Sequence, residues 1–340
     1  MKRILHLNLA QAIKLMLITL MCLPVWSTAV KAQSPEAYAV FDSTTGTLTF
    51  KYDAAKPEGA YEMNEDYAVP GWYDVVNDIK KIVFEPSFAD ARPTSCHYWF
   101  SDYRGEEIEG LEYLNTSEVT NMVYMFSSCY SLKKLDVSKF NTGKVTNFKC
   151  MFSDCGSLTS LDVSSFNTEN VTNMEKMFFL CKSLTSLDLS NFNTKNVTDM
   201  NNMFDKCFNI TSIKLSNFNT SKVTDMGGMF NQCNSLSSLD VTNFNTSNVE
   251  EMSYMFSECK SLTTLDLSSF NTEKVTRMRN MFSICSSLTT IYASEKFITT
   301  NVTESYKMFG WCKALKGAIA YDENKTCLLY TSPSPRDKRQ

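Results

Sequence analysis

The chain has 340 residues, of which 43% are hydrophobic and 21% are charged, and its formal net charge is −4. This composition is sufficient for a continuous apolar core and excludes a disordered chain. The acidic balance argues against nucleic acid or anionic lipid as a partner, because clusters of basic residues bind both.

The first 32 residues have the pattern of a secretory signal peptide. Lys2 and Arg3 give a positive start, a mostly apolar run follows, and Val30-Lys31-Ala32 offers small residues at the cleavage positions. Polar interruptions make the run a poor transmembrane span. Lipidation at Cys22 is a less favoured alternative. Cleavage of residues 1–32 removes four basic residues and no acids, which leaves 29 basic and 37 acidic residues and a net charge of −8.

Residues 33–78 precede the repeats and are rich in β-forming residues. Two runs, Tyr38–Phe41 and Thr47–Tyr52, flank Thr44-Thr45-Gly46, which predicts a β-hairpin. Because a stack of repeats exposes an apolar end, we interpret this segment as an N-terminal β-rich cap.

One phrase, Met-Phe-x-x-Cys, recurs along most of the remaining chain. Seven copies follow one another at a step of 26 residues, and an eighth follows after 27. Their cysteines are Cys129, Cys155, Cys181, Cys207, Cys233, Cys259, Cys285 and Cys312. A period of roughly 20–50 residues is typical of solenoids, in which neighbouring coils share one core. We predict a solenoid over residues 79–320, with two irregular coils followed by regular repeats.

Each repeat combines a strand pattern with a helical one. In the repeat that begins at Leu158, Leu161 and Val163 alternate with polar residues, which predicts a short strand with one buried face. Asn167-Thr168 follows as a turn with stacked hydrogen bonds. Apolar residues at helical spacing then predict a short helix over the back of the coil. In this repeat they are Val171, Met174, Met177, Phe178 and Cys181.

Eleven cysteines remain after cleavage, and exported proteins usually pair such residues in disulfides. Equivalent cysteines on adjacent coils lie about 4.8 Å apart, but their parallel side chains do not converge as a disulfide requires. We therefore predict buried thiols that pack as small apolar groups. Zinc is disfavoured, because His97 is the sole histidine of the mature chain and no Cys-x-x-Cys pair exists.

The repeat resembles a known family. Leu-x-x-Leu-x-Leu-x-x-Phe-Asn-Thr is similar to the conserved half of a leucine-rich repeat, and with Val-Thr-x-Met-x-x-Met-Phe-x-x-Cys it resembles the BspA-like leucine-rich-repeat surface proteins. Leu187–Phe192, Asn196–Met200 and Met203–Cys207 carry the match. The resemblance implies an α/β repeat, a right-handed solenoid with a parallel concave β-sheet and short convex helices. It also implies a secreted or surface role in adhesion.

Residues 321–340 form a tail that fits no repeat. The segment from Cys327 to Gln340 resembles an adapter-derived junction of assembled sequences, and we interpret it as not native. Members of the family usually continue into further domains or an anchoring signal, so we expect the genuine protein to be longer.

Outward-facing strand positions form the candidate binding surface. Its central row, here called the aspartate strip, consists of Asp136, Asp162, Asp188, Lys214, Asp240, Asp266 and Tyr292. The strip is either a polar recognition surface or, for any single aspartate, a solvated face that opposes lateral association. Calcium is disfavoured, because one carboxylate per coil supplies too few oxygens. Lys214 and Tyr292 break the row and are the candidates for specificity.

The pattern does not favour an enzyme. Catalysis needs a positioned acid, base or nucleophile, and the sequence contains no glycine-rich phosphate loop, nucleophile elbow or metal motif. We therefore expect no catalytic activity and no cofactor. The favoured function is a monomeric, secreted or cell-surface adhesin that binds a protein ligand on host or partner cells. The alternatives are a spacer that presents a missing C-terminal domain and, less favoured, a carbohydrate binder.

Overall fold

The computed structural model describes residues 33–316 and 331–332. The predicted signal peptide lies outside the described residues, as does the predicted tail apart from its two-residue strand. The strands are β1 Glu36–Asp42, β2 Thr47–Asp53, β3 Tyr61–Glu62, β4 Lys81–Phe84, β5 Ile108–Glu109, β6 Ser186–Asp188, β7 Ser212–Lys214, β8 Thr264–Leu267, β9 Thr290–Ala293 and β10 Thr331–Ser332. Short 3₁₀ helices span Gly71–Asp78, Pro86–Asp90 and Leu111–Tyr113.

The N-terminal segment forms a mixed sheet of order β3-β1-β2-β4-β5. β1 and β2 pair antiparallel, which confirms the predicted hairpin. Gly46 has φ 70° in its turn, and a Cβ there would lie 2.8 Å from the carbonyl oxygen of Asp78, so only glycine fits. β2 then pairs in parallel with β4, and β4 with β5, which joins the hairpin to the strands of the irregular coils. The capping role of this segment stays a prediction.

Buried aromatic rings fill the interior of the N-terminal segment. The Phe50 ring lies 4.4 Å from that of Phe84 and 5.4 Å from that of Trp99, centroid to centroid. The indole of Trp72 donates a hydrogen bond to the carbonyl of Trp99 at 2.9 Å, so its buried N–H is satisfied. One apolar core therefore runs from the hairpin into the coils.

Successive coils stack in register through parallel bridges. The bridged residues are Ser95, Asn121, Asn147, Asn173, Asp199, Asp225, Glu251, Arg277 and Glu304, each one repeat after the last. The predicted shared core is confirmed, because the methionine and phenylalanine side chains of the regular repeats are buried. Their rings form a column, with Phe152–Phe178 and Phe178–Phe204 centroids 5.8 and 5.7 Å apart. The handedness and curvature of the solenoid stay predictions.

The predicted helix over the back of each coil is wrong. The Met-Phe segment instead forms consecutive turns with i to i+3 hydrogen bonds, such as Met177 N–H to the Met174 carbonyl at 3.2 Å. Lys176 and Leu180 have φ of 55° and 57°, and equivalent residues of other coils do the same. A left-handed residue breaks an α-helix and suits the third position of a type II turn. We call this run of turns the turn ladder.

Alternate N–H groups of the turn ladder bind the next coil. Lys176, Phe178 and Leu180 donate to carbonyls of the following repeat at 2.9, 3.0 and 2.8 Å. The same residue that interrupts a helix therefore directs a backbone donor between coils. The helical spacing of the apolar side chains arises here from consecutive turns with i to i+3 hydrogen bonds.

The predicted continuous sheet is also only partly formed. On the strand side, β6 pairs with β7 and β8 with β9, both in parallel, and β9 also pairs with β10. The carboxylate of Asp188, the last residue of β6, accepts the N–H of Ser190 at 3.1 Å. Such a side-chain acceptor competes with strand pairing, so the strands end early.

A column of buried threonines follows the strand side. Thr194 donates its hydroxyl to the Asn219 carbonyl at 3.0 Å and accepts the Asn219 N–H at 2.8 Å. Thr116, Thr142, Thr168, Thr220 and Thr246 make the same pair of bonds with the asparagine of the next coil. This confirms the predicted stacked hydrogen bonds of the Asn-Thr turns.

The ten cysteines of the described part of the chain are free and buried, as predicted. Cys207 donates its thiol to the carbonyl of Phe178 at 3.1 Å, and the other Met-Phe-x-x-Cys cysteines make the equivalent bond. Burial raises the pKa of Cys207 well above its ordinary value and that of Cys259 to about 12. The reactive thiolate of these two cysteines is therefore scarce in the folded protein.

We predict that Thr194→Val lowers the free energy of unfolding by about 1–3 kcal/mol, because the buried Thr194 hydroxyl is the partner of both the N–H and the carbonyl of Asn219. The exposed Thr198, which bonds the Thr172 carbonyl at 3.2 Å, is the matched control, and T198V is expected to cost under about 1 kcal/mol. Urea denaturation of both variants measures the difference. Equal losses would contradict the role given to the buried column.

We also predict that the ten described cysteines resist iodoacetamide at pH 8 in the native protein and react after denaturation. The physical reason is that their thiols are buried in the stacked core, where the reagent cannot reach them. Peptide mapping by mass spectrometry measures the modified fraction at each site. Two or more disulfides among the repeat cysteines would refute the packing of free thiols.

Candidate functional site

The aspartate strip lies at the surface along the strand side. Its members at 136, 162, 188, 214 and 240 are exposed, and Asp266 and Tyr292 are half-buried. The structure pairs Asp188 with Lys214 and Asp266 with Tyr292 in register across adjacent strands. For these two pairs, residues that the sequence predicts in one row are therefore neighbours on adjacent strands.

Each aspartate of the strip binds its own backbone. One carboxylate oxygen accepts the N–H two residues further on, at 2.9 to 3.1 Å. The pairs are Asp136–Ser138, Asp162–Ser164, Asp188–Ser190, Asp240–Thr242 and Asp266–Ser268. The aspartates thus shape the end of the strand segment, and this bond fixes the direction of the carboxylate.

Three carboxylates of the strip, those of Asp136, Asp162 and Asp188, have lowered pKa values although the aspartates form a file. Lys214 Nζ lies 2.6 Å from Asp188 Oδ2, and this bond, with those from Ser190, lowers the pKa of Asp188 to about 2. Hydrogen bonds from Ser138 lower the pKa of Asp136, and those from Ser164 lower that of Asp162, despite repulsion from the neighbouring carboxylate. Donors within the same turn therefore outweigh the repulsion along the row.

A shallow groove of about 460 Å³ lies on the strip. Its lining residues are Ser160, Leu161, Asp162, Val163, Ser164, Ser186, Asp188, Ser190 and Asn191. Four serine hydroxyls and two carboxylates lie in this lining, so the groove offers many acceptors beside the apolar surface to which Leu161 and Val163 contribute. It suits a polar or basic group of a partner.

The described residues contain neither a cluster typical of a metal centre nor a membrane-spanning helix. No group of three or more His, Cys, Asp or Glu side chains there has the arrangement of a metal site. The same part of the chain contains no helix of the length and apolarity needed to cross a bilayer.

The turn ladder carries a second groove, of about 500 Å³, that the sequence analysis missed. Its lining runs along successive coils from Asn201 to Glu304 and includes Gly227, Gly228 and Tyr254. A signal was present, because the two residues between the methionines of a repeat are glycines only at Met226-Gly227-Gly228-Met229. Its meaning depends on the neighbouring coils, which the linear pattern does not place.

We predict that Lys214→Met raises the pKa of Asp188 above about 2, while the bonds from Ser190 keep it below the ordinary value of about 3.9. Because the folded pKa is lowered, the ion pair favours the folded state above the unfolded pKa and is lost as the pH falls through about 2. NMR titration of the carboxyl carbons measures both states, with Asp136 as the internal control. An unchanged Asp188 titration would rule out Lys214 as the main cause.

Comparison with solved structures gives low similarity. A leucine-rich repeat protein from Bacteroides ovatus is 14% identical, with 84% of this chain and 82% of that chain covered and a TM-score of 0.35. A leucine-rich cell surface protein from Faecalibacterium prausnitzii is 17% identical, with 83% and 88% covered and a TM-score of 0.29. A leucine-rich repeat protein from Eubacterium ventriosum is 15% identical, with 86% and 91% covered and a TM-score of 0.29.

Comparison with curated proteins and with protein families gives two further findings. No curated protein matches the chain. The family described as "Mycoplasma protein of unknown function, DUF285" matches residues 94–213 and 198–321. These two matches overlap and together cover the regular coils and most of the described chain. The chain therefore belongs to the DUF285 family.

Proposed function

We propose that this protein is a secreted or cell-surface adhesin that binds a protein ligand through the aspartate strip. The proposal rests on one observation: the carboxylates of the strip are held in fixed directions by their own backbone. A preorganised row of charges loses little side-chain entropy on binding. The resemblance to BspA-like leucine-rich-repeat surface proteins supports adhesion to host matrix proteins or partner cells.

The charge of the strip defines the partner surface that fits it. Ionised carboxylates at Asp136 and Asp162 favour lysine and arginine side chains at a spacing close to that of adjacent coils, about 4.8 Å. Lys214 already engages Asp188, so the middle of the strip is locally neutral. The partner therefore meets two aspartates on each side of this neutral break, Asp136 and Asp162 before it and Asp240 and Asp266 after it, and the position of the break sets the binding register.

The strip also explains why repetition serves recognition here. A catalytic group is needed once, whereas a binding surface gains area with each coil that repeats its chemistry. Lys214 and Tyr292 depart from aspartate at two positions of the row. Such departures within a regular array distinguish one partner from another.

We predict that a triple variant, D136N/D162N/D240N, weakens binding to a matrix protein by about tenfold or more at low salt. Asparagine retains the acceptor for the backbone N–H and removes only the charge. The control is E118Q/E169Q/E273Q, which removes the same charge from exposed acids outside the strip. Surface plasmon resonance with immobilised fibronectin and fibrinogen, at two salt concentrations, measures both.

The control is expected to stay within about twofold of the parent affinity, since surface charges far from a contact act weakly across a Debye length. Absence of saturable binding to these matrix proteins and to partner cells would refute the adhesin and favour a spacer. Equal loss in both triple variants would place the contact elsewhere than on the strip.

A further inference from the structure

The groove on the turn ladder includes one repeat that lacks side chains. The two residues between the methionines are Asn201 and Asn202 in one coil, glycines in the next, and Ser253 and Tyr254 in the coil after that. The groove, which we call the notch, has a volume of about 500 Å³ and extends from these asparagines across the glycines and Tyr254 to Glu304. It shares no lining residue with the groove on the aspartate strip.

The backbone does not require both glycines. Gly228 has φ 62°, but the equivalent Asn202, Tyr254 and Asn280 adopt φ of 54°, 60° and 52° with side chains present. The fold therefore accepts asparagine or tyrosine at this position of the turn. What distinguishes the glycine pair is the space above it, into which the Asn202 side chain reaches: a Cβ on Gly228 would collide with its amide oxygen.

The charges that line the notch largely cancel. Arg277 forms an ion pair with Glu251, and Arg279 Nη2 lies 3.4 Å from Glu304 Oε2. Asp225 accepts hydrogen bonds from Gly227 N–H at 2.8 Å and from Asn201 Nδ2 at 3.0 Å. The notch therefore combines one further carboxylate with amides and hydroxyls, and each guanidinium already has a carboxylate partner.

An exposed aromatic ring borders this polar surface. Tyr254 is 41% exposed and lines the notch. At the equivalent position of earlier coils, Tyr98 and Tyr124 pack against each other with centroids 4.7 Å apart. Tyr254 instead follows Gly228 along the row, so its ring borders the open space.

We propose that this notch binds a neutral sugar at the end of a glycan chain. Sugars present several hydroxyls, which amides and a carboxylate can bind as donors and acceptors at once, and an apolar ring face, which packs on an aromatic ring. The volume lies in the range of small-ligand sites, about 300–1,000 Å³. Paired guanidiniums disfavour sialylated or sulfated glycans.

The roles of the side chains follow from their positions. Tyr254 supplies the platform, Asn201 and Asn202 the donors and acceptors of one wall, and Asp225 the anionic acceptor of the floor. The protein would then hold a glycoprotein ligand at two surfaces.

The test is binding of the full chain to a glycan array, followed by calorimetry with the methyl glycosides of glucose, galactose, mannose and N-acetylglucosamine. Saturable binding of at least one neutral glycan is expected. Tyr254→Ala should weaken it by about tenfold or more, through loss of the stacking platform. Gly228→Asn, which the turn conformation accepts, should also weaken it, because the new side chain displaces that of Asn202 and occupies part of the notch.

Two controls separate the site from other effects. Tyr130→Ala removes a tyrosine that is 49% exposed outside the notch, and it should leave binding within about twofold. D136N/D162N/D240N should also leave sugar binding unchanged, which distinguishes this site from the strip. Absence of saturable binding to any neutral glycan, binding to anionic glycans alone, or equal losses in Y254A and Y130A would each overturn the proposal.

Discussion

Hydrogen bonding between coils along the turn ladder is the constraint on which the rest of the structure depends. In a helix, each N–H binds a carbonyl of its own segment. Here left-handed residues such as Lys176 and Leu180 divide the donors, so that some close a turn and others bind the next coil. The strand side has fewer regular pairs and relies on the buried threonine column. Together these bonds hold the coils at the spacing that stacks the phenylalanine rings.

The sequence predicted the repeating features well. Period, shared core, free thiols, Asn-Thr turns and the N-terminal hairpin all follow from alternation, spacing or parallel side chains, which a linear pattern records directly. The helix was wrong for a physical reason. Val171, Met174, Met177 and Cys181 recur at steps of three or four residues, and consecutive turns with i to i+3 hydrogen bonds produce that spacing as well as a helix does. The positive-φ positions are occupied by lysine and leucine, and these residue types do not predict such a turn.

The candidate site shows a similar division. The positions of the aspartate strip were predictable, because alternation along a strand assigns a face. The bond that each carboxylate makes to its own turn was not, since a period of two specifies which way a side chain points and says nothing of local acceptors. The notch at Gly227 and Gly228 could not be predicted from the sequence, because its lining comes from several coils, including asparagines of the previous coil and a tyrosine of the next.

The buried thiols have a consequence for how the protein reaches its final form. Reaction with an oxidant requires a thiolate, and burial raises the pKa of thiols such as Cys207 and Cys259, so that this species is scarce at these residues once the coils have stacked. Before stacking, every one of these side chains is open to oxidation. In an oxidising environment, folding therefore competes with oxidation of the exposed thiols. A disulfide between cysteines of adjacent coils is incompatible with the stacked geometry, so rapid stacking of the coils protects the thiols from oxidation.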